Sequence, residues 1–220
     1  MPQRQLWPEL AKLPGGFVLY GGTAIALRLG HRVSIDFDFF TSDNFDGIAL
    51  RRSMASLTAG EVLQQERNVL TVLADRGGPV KLSFFGGIGG RLADPDPTRD
   101  GVACVASPLD LLARKIKTIH DRIQQRDFID IDALVASDVP LAEGIAGFEA
   151  LFPDTIPTML TLKALTWFAD PELRDIPDSC RRRLERAARS LVAPLPKRAL
   201  LGASLVGSCT RAGLVIDSGN

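Results

Sequence analysis

The sequence predicts an α/β (α+β) fold: a small mixed sheet followed by a helical C-terminal half. Three observations predict it. Up to about residue 105, apolar runs of strand length are bounded by glycine and proline turns. From Ser107 onward, apolar residues recur at helical spacing and prolines divide the segments. Hydrophobic residues make up 45% of the 220, enough to bury a core in one large domain or two small ones. The expected divisions are a core over 1–105, a helical domain over 106–192 and a flexible tail over 193–220.

Composition removes several function classes. Lys+Arg and Asp+Glu both number 26, so bulk charge does not argue for nucleic acid, and an RNA-binding surface would have to be a local patch. The cysteines, Cys104, Cys180 and Cys209, are far apart and odd in number. That excludes a fully paired disulfide framework and suggests a reducing compartment. The opening MPQRQLWPEL has no apolar signal-peptide region, and no apolar run is long enough to span a bilayer. The expectation is a soluble, cytoplasmic protein with no membrane contact. With only His31 and His120 and no CxxC pair, a zinc site is disfavoured, and no GxSxG elbow marks a serine hydrolase.

Taken in order, Leu6–Leu13 reads as a lead-in helix ended by Pro14-Gly15-Gly16. Phe17-Val18-Leu19-Tyr20 suits a buried strand, broken by Gly21-Gly22-Thr23. Thr23 is an N-cap candidate for a helix over Ala24–Leu29, with Gly30 as its stop. A helix N-terminus behind a glycine turn presents unpaired N–H groups that favour a phosphate. In the next strand, period-two alternation puts Val33, Ile35, Phe37 and Phe39 on one face, and Ser34, Asp36 and Asp38 on the other. Two carboxylates one pleat apart can share magnesium, which favours hard oxygen ligands and keeps positions open for substrate phosphates. Asp is depleted in strands, so the pair points to function rather than to a solvated face.

Phe45–Leu57 reads as helical. Asn68–Asp75 and Val80–Phe85 read as strands joined by a turn at Arg76-Gly77-Gly78-Pro79. Val80, Leu82 and Phe84 would face the core, leaving Lys81 and Ser83 on the side of the Asp pair. Lys81 would there face the same cleft as that pair or serve as an edge-strand lysine against aggregation. Gly86-Gly87-Ile88-Gly89-Gly90 lacks the GK[ST] ending of a phosphate loop and reads as a mobile crossover, followed by a short strand over Val102–Val105. Ser107-Pro108 opens a helix, with Asp110 in its first turn and Leu112, Ile116, Ile119 and Ile123 as its stripe. Lys115 borders that stripe, placed either to reach into a cleft or to snorkel to solvent. Asp127 and Asp130 are helical neighbours at i, i+3. One could orient Lys115 or act as base or metal ligand, and the other could cap the helix. Further helices are expected over 141–151, 158–168 and 179–192. The last carries Arg181, Arg182, Arg183, Arg186 and Arg189, the best candidate for an RNA or partner patch.

Gly21-Gly22-Thr23 followed by Arg32-Val33-Ser34-Ile35-Asp36-Phe37-Asp38 resembles the first motif of polymerase-β-type nucleotidyltransferases, and more narrowly of the AbiEii/AbiGii toxin family. Lys81-Leu82 is similar to that family's second motif. Leu111, Lys115 and Ile116 are similar to its third, and Arg126-Asp127-Phe128-Ile129-Asp130 to its fourth, RDxxD. The resemblance implies a magnesium-dependent nucleotidyltransferase of a toxin–antitoxin system, using a nucleoside triphosphate, for some members a tRNA acceptor, and an antitoxin partner. Asp36 and Asp38 would hold the metal, with Lys115, Asp130 and Asp127 completing the catalytic group. Gly21, Gly22, Thr23, Ser34 and Lys81 would bind nucleotide. The strand that often supplies a third carboxylate in the wider superfamily has Ser83 instead. That keeps open a non-catalytic nucleotide- or partner-binding protein. A small-molecule nucleotidyltransferase of the antibiotic-modifying type is a further alternative.

Overall fold

A computed structural model describes residues 1–153, 156–191 and 194–209. The chain opens with α1 (Pro2–Leu6), which passes at Trp7-Pro8 into a 3-10 turn over Trp7–Lys12. The expected single helix is therefore split, because Pro8 has no N–H to continue an α-helix. Next come β1 (Val18–Tyr20), α2 (Gly21–Leu29) and β2 (Phe37–Phe40). Gly30 ends α2 in the left-handed conformation, φ 62°. The expected helix over 45–57 is two short ones, α3 (Gly47–Arg52) and α4 (Ala55–Ala59). Strands β3 (Glu61–Glu66), β4 (Val69–Asp75), β5 (Pro79–Phe85), β6 (Asp96–Pro97) and β7 (Cys104–Val105) follow. The helical half comprises α5 (Pro108–Asp121), α6 (Gln125–Ala136), α7 (Leu141–Leu151), α8 (Thr158–Thr166) and α9 (Asp178–Arg189).

Among the described residues the strands form one seven-stranded mixed sheet, ordered β3-β4-β5-β2-β1-β7-β6. β2 runs antiparallel to β1 and parallel to β5, with Asp38 opposite both Tyr20 and Ser83. Opposed residues share a face. Phe37, Phe39, Leu82, Phe84 and Leu19 therefore form a buried layer. Tyr20, Asp38, Phe40, Ser83 and Phe85 face the other way, toward α5. That strand is shorter than its apolar pattern: residues 31–36 are irregular, and Val33 and Ile35 are 70% and 54% exposed. The alternation breaks because Asp36 and its neighbours leave the sheet to meet α2 and α6.

Both halves share one buried core, from Leu6 to Leu205. The first turn of α5 is capped by the Ser107 hydroxyl, which accepts from the Asp110 N–H at 3.1 Å. The buried Asp110 carboxylate in turn accepts from Leu92 N–H (3.1 Å) and Ala93 N–H (3.0 Å), fastening the crossover loop to the helix start. The segment 194–209, expected as part of a flexible tail, is held at several points. Leu205 is buried, Gly202 pairs with Arg91, and the Leu205 N–H donates to Ser42 Oγ at 2.7 Å. Residues 193 and 210–220 of that expected tail, and residue 192 of the last expected helix, lie outside the described residues. Cys104 and Cys209 form a disulfide across a separation of 105 residues, while Cys180 is buried and free. The odd count does leave one thiol unpaired, but the wide spacing hid the pairing of the other two, which β1–β7 pairing and the strapped C-terminal segment bring together.

Candidate active site

The cleft lies between the polar face of β1, β2 and β5 and one side of α5. It encloses about 280 Å³, with Gly21, Asp38, Lys115 and Arg122 among its lining and Tyr20, Phe40, Phe85 and Arg114 alongside. Asp38 and Lys115, 77 positions apart in sequence, thus face one space. Burial pushes the Asp38 carboxyl above its ordinary range; the Lys81 charge opposes that and the Asp36 charge adds to it. Lys81 stands on the same side, its Nζ 3.1 Å from Asp36 Oδ2.

The two glycines have separate reasons. Gly21 sits at φ +70°, and a Cβ there would collide with the Asp38 carboxylate. At Gly22 a Cβ would strike the Arg32 guanidinium. Thr23, expected as N-cap, lies inside α2, whose N-cap is Tyr20. Its hydroxyl donates to the Asp36 carbonyl and bonds the Ser34 hydroxyl at 2.9 Å. Of the expected phosphate cradle, the structure therefore brings Gly21 to the cleft. It uses Gly22, Thr23 and Ser34 to secure the loop that carries Asp36.

Asp127 and Asp130 are fully buried on α6 beneath the cleft. Lys115 Nζ donates to Asp127 Oδ1 at 2.6 Å and lies 2.9 Å from Asp130 Oδ2. Arg32 grips Asp130 with both arms, Nε to Oδ1 at 2.7 Å and Nη2 to Oδ2 at 2.8 Å, and His31 Nε2 adds a bond of 2.7 Å to Oδ1. Arg122 Nε donates to Asp127 Oδ2 at 3.1 Å. An ionised carboxylate offers about four lone-pair sites, and these four contacts fill those of Asp130. Burial alone would raise its pKa, but Arg32, Lys115 and His31 together hold it below the usual carboxylate range. Of the roles open to this pair, the geometry matches holding Lys115. Neither side chain caps α6, whose N-cap Gln124 has no side-chain bond.

The donors on this side of the cleft suit magnesium. Asp36 and Asp38 offer hard oxygens, Asp38 sits in a setting that a counter-cation would relieve, and the cleft beside it is open. The pair fits a cation that leaves most coordination positions to water or phosphate. Among the described residues no cluster of three His, Cys, Asp or Glu completes a closed cage, and Ser83 stands opposite Asp38 where a third carboxylate would be sought.

Sequence reasoning missed His31, Arg32 and Arg122 as partners of the Asp pair, along with the aromatic wall of the cleft. Two buried Asp at i, i+3 demand cations, and His31-Arg32 just ahead of the DxD strand was the signal available. The arginine run of α9 is partly occupied with its own scaffold. Arg181 donates to the Leu173, Arg174 and Ile176 carbonyls and lies 5.6 Å over Phe168, and Arg183 pairs with Asp132 at 2.6 Å.

The sequence profile of the family described as "Nucleotidyl transferase AbiEii toxin, Type IV TA system" matches residues 9–203. The chain belongs to this family. It is 35% identical over 117 residues to an uncharacterised protein of Aquifex aeolicus (strain VF5), an alignment spanning about half of each: 52% of this chain and 55% of the relative. Two solved structures share its fold. One is a crystal structure from H. pylori assigned as a nucleotidyltransferase, with TM-score 0.54 and 17% identity over 86% of this chain and 90% of that one. The other is MenT4, a nucleotidyltransferase toxin of Mycobacterium tuberculosis H37Rv, with TM-score 0.53 and 18% identity over 87% and 82%. No helix among the described residues is long and apolar enough to cross a membrane.

Proposed function

We propose that this AbiEii-family protein transfers a nucleoside monophosphate from a nucleoside triphosphate to an acceptor such as tRNA, and that a cognate antitoxin restrains it. The observation that carries this reading is the convergence of Asp38, Gly21 and Lys115 on one cleft, with the Lys81–Asp36 pair on the same side. Asp36 and Asp38 would hold magnesium, which supplies charge neutralisation and alignment of the phosphates. Lys115 and Arg122 offer fixed positive charge to the triphosphate, and Lys81 exchanges its contact with Asp36 for a phosphate oxygen. The acceptor hydroxyl oxygen bonds to the α-phosphorus as the α–β bridging bond breaks. Pyrophosphate leaves against the lysines, and the hydroxyl proton passes to water at the open mouth of the cleft. Asp127 and Asp130 act by position, keeping Lys115 in place.

Ser83 at the third-carboxylate position favours a second reading, a cleft that binds nucleotide without turnover. Label transfer separates the two. Purified protein, magnesium and total tRNA are incubated with each α-labelled nucleoside triphosphate, with Asp36→Asn in parallel. Label on RNA from wild type and not from the variant supports transfer. Tight nucleotide binding with no label on RNA, aminoglycoside or protein supports the second reading.

A further inference from the structure

Lys115 faces two buried carboxylates, and a lone lysine between two aspartates would leave the floor of the cleft negative, where it would repel a triphosphate. The structure corrects the balance with cations from elsewhere. Arg32 engages Asp130 at 2.7 and 2.8 Å, and Arg122 engages Asp127 at 3.1 Å. Among the Arg, Lys and Asp side chains of the group, Arg32, Lys115 and Arg122 set three positive charges against the two negative ones of Asp127 and Asp130, and without Arg32 the count falls to two against two. Arg32 also fixes geometry. Its fork occupies one position on each Asp130 oxygen, and His31 takes another on Oδ1. What remains is the Oδ2 position that meets Lys115 Nζ at 2.9 Å. Gly22 makes this passage possible, since a Cβ there would displace the guanidinium.

We propose that Arg32 is a positioning residue of the triphosphate site: through Asp130 it sets the place of Lys115 and the net charge of the group that holds it, and Gly22 is the glycine that admits it. This rests on the nucleotide reading above and adds a residue that does not itself line the cleft. A guanidinium is required rather than an ammonium, because only the planar fork can hold both oxygens of a buried carboxylate at once.

The test is calorimetric binding of a non-hydrolysable nucleoside triphosphate and of the matching monophosphate, with magnesium, to wild type, Arg32→Gln, Arg32→Lys and Lys115→Met. Each is measured below its own unfolding temperature. Expected are a loss of at least tenfold for the triphosphate in Arg32→Gln and a smaller loss in Arg32→Lys, with monophosphate affinity little changed in both. A merely structural role would weaken both ligands alike. If wild type binds triphosphate in a Lys115-dependent way while Arg32→Gln keeps the wild-type ratio of triphosphate to monophosphate affinity, the inference is overturned and the nucleotide reading stands. No triphosphate binding by wild type overturns both. If Arg32→Gln does not fold, Arg32→Lys carries the test, and an unchanged ratio in it overturns the inference.

Discussion

Asp130→Asn is the most informative single change in this molecule. The substitution keeps the side chain's shape and removes its charge, leaving Arg32, Lys115 and Arg122 with Asp127 as their one carboxylate in the group. The site is buried, with Asp130 fully inaccessible and Arg32 only 20% exposed. Removing one partner of a buried ion pair costs about 3–5 kcal/mol, because the remaining charge stays desolvated and unpaired. The amide can still accept on one oxygen, so we expect the lower end, about 3 kcal/mol. For a chain of this length that is a fall in melting temperature of about 6–12 °C. The sign of the pH dependence follows from the lowered pKa of Asp130. Its stabilisation is present above the unfolded value of 3.8 and is lost as pH falls through the lower folded value. Urea unfolding of wild type and variant should therefore differ fully at pH 7 and converge below about pH 4. A difference under about 1 kcal/mol at pH 7, or one that does not shrink in acid, would refute the assignment of Asp130 as a buried, ionised hub.

Three further outcomes are expected. Lys81→Met removes the charge that opposes the burial shift of Asp38. The carboxyl should rise further, and magnesium binding, which needs it ionised, should be lost at a higher pH than in wild type; titrations across pH check this. Gly21→Ala forces an L side chain to φ +70° and drives a Cβ into Asp38. It should cost at least about 1–2 kcal/mol of stability and weaken magnesium binding, read by denaturation and metal titration. Cys209→Ser, or reduction of wild type, opens a loop of 105 residues and should lower stability by on the order of 4 kcal/mol, with earlier proteolysis of the 198–209 segment.

Much of the fold was legible because its signals are local. Gly30 at the end of α2, the alternation of Phe37, Asp38 and Phe39, and Ser107-Pro108 each specify a stop, a pleat or a cap within a few residues. Strand β3 was not legible: Glu61–Glu66 is exposed along its whole length, so burial imposes no pattern on it. The apolar Val33 and Ile35 misled, because they match strand period yet lie on an irregular, exposed loop. In the cleft, the place of Asp38 could be read from strand alternation, and that of Lys115 from its position beside the apolar stripe of its helix together with the family resemblance. The reason for Gly22 could not, since it depends on Arg32 meeting Asp130 98 residues away. The disulfide and the strapped C-terminal segment were hidden for the same reason: Arg91, Ser42 and Cys104 lie far from that segment in sequence.

If the proposed function is right, Asp36 and Asp38 hold a divalent cation beside a triphosphate on Lys115. A crystal structure with manganese and a non-hydrolysable nucleoside triphosphate tests it most directly. Expected are an anomalous peak within coordinating distance of both carboxylates, and phosphate oxygens against Lys115 with Lys81 turned away from Asp36. Nucleotide bound elsewhere, or bound in this cleft with no metal at Asp36 and Asp38, would contradict it.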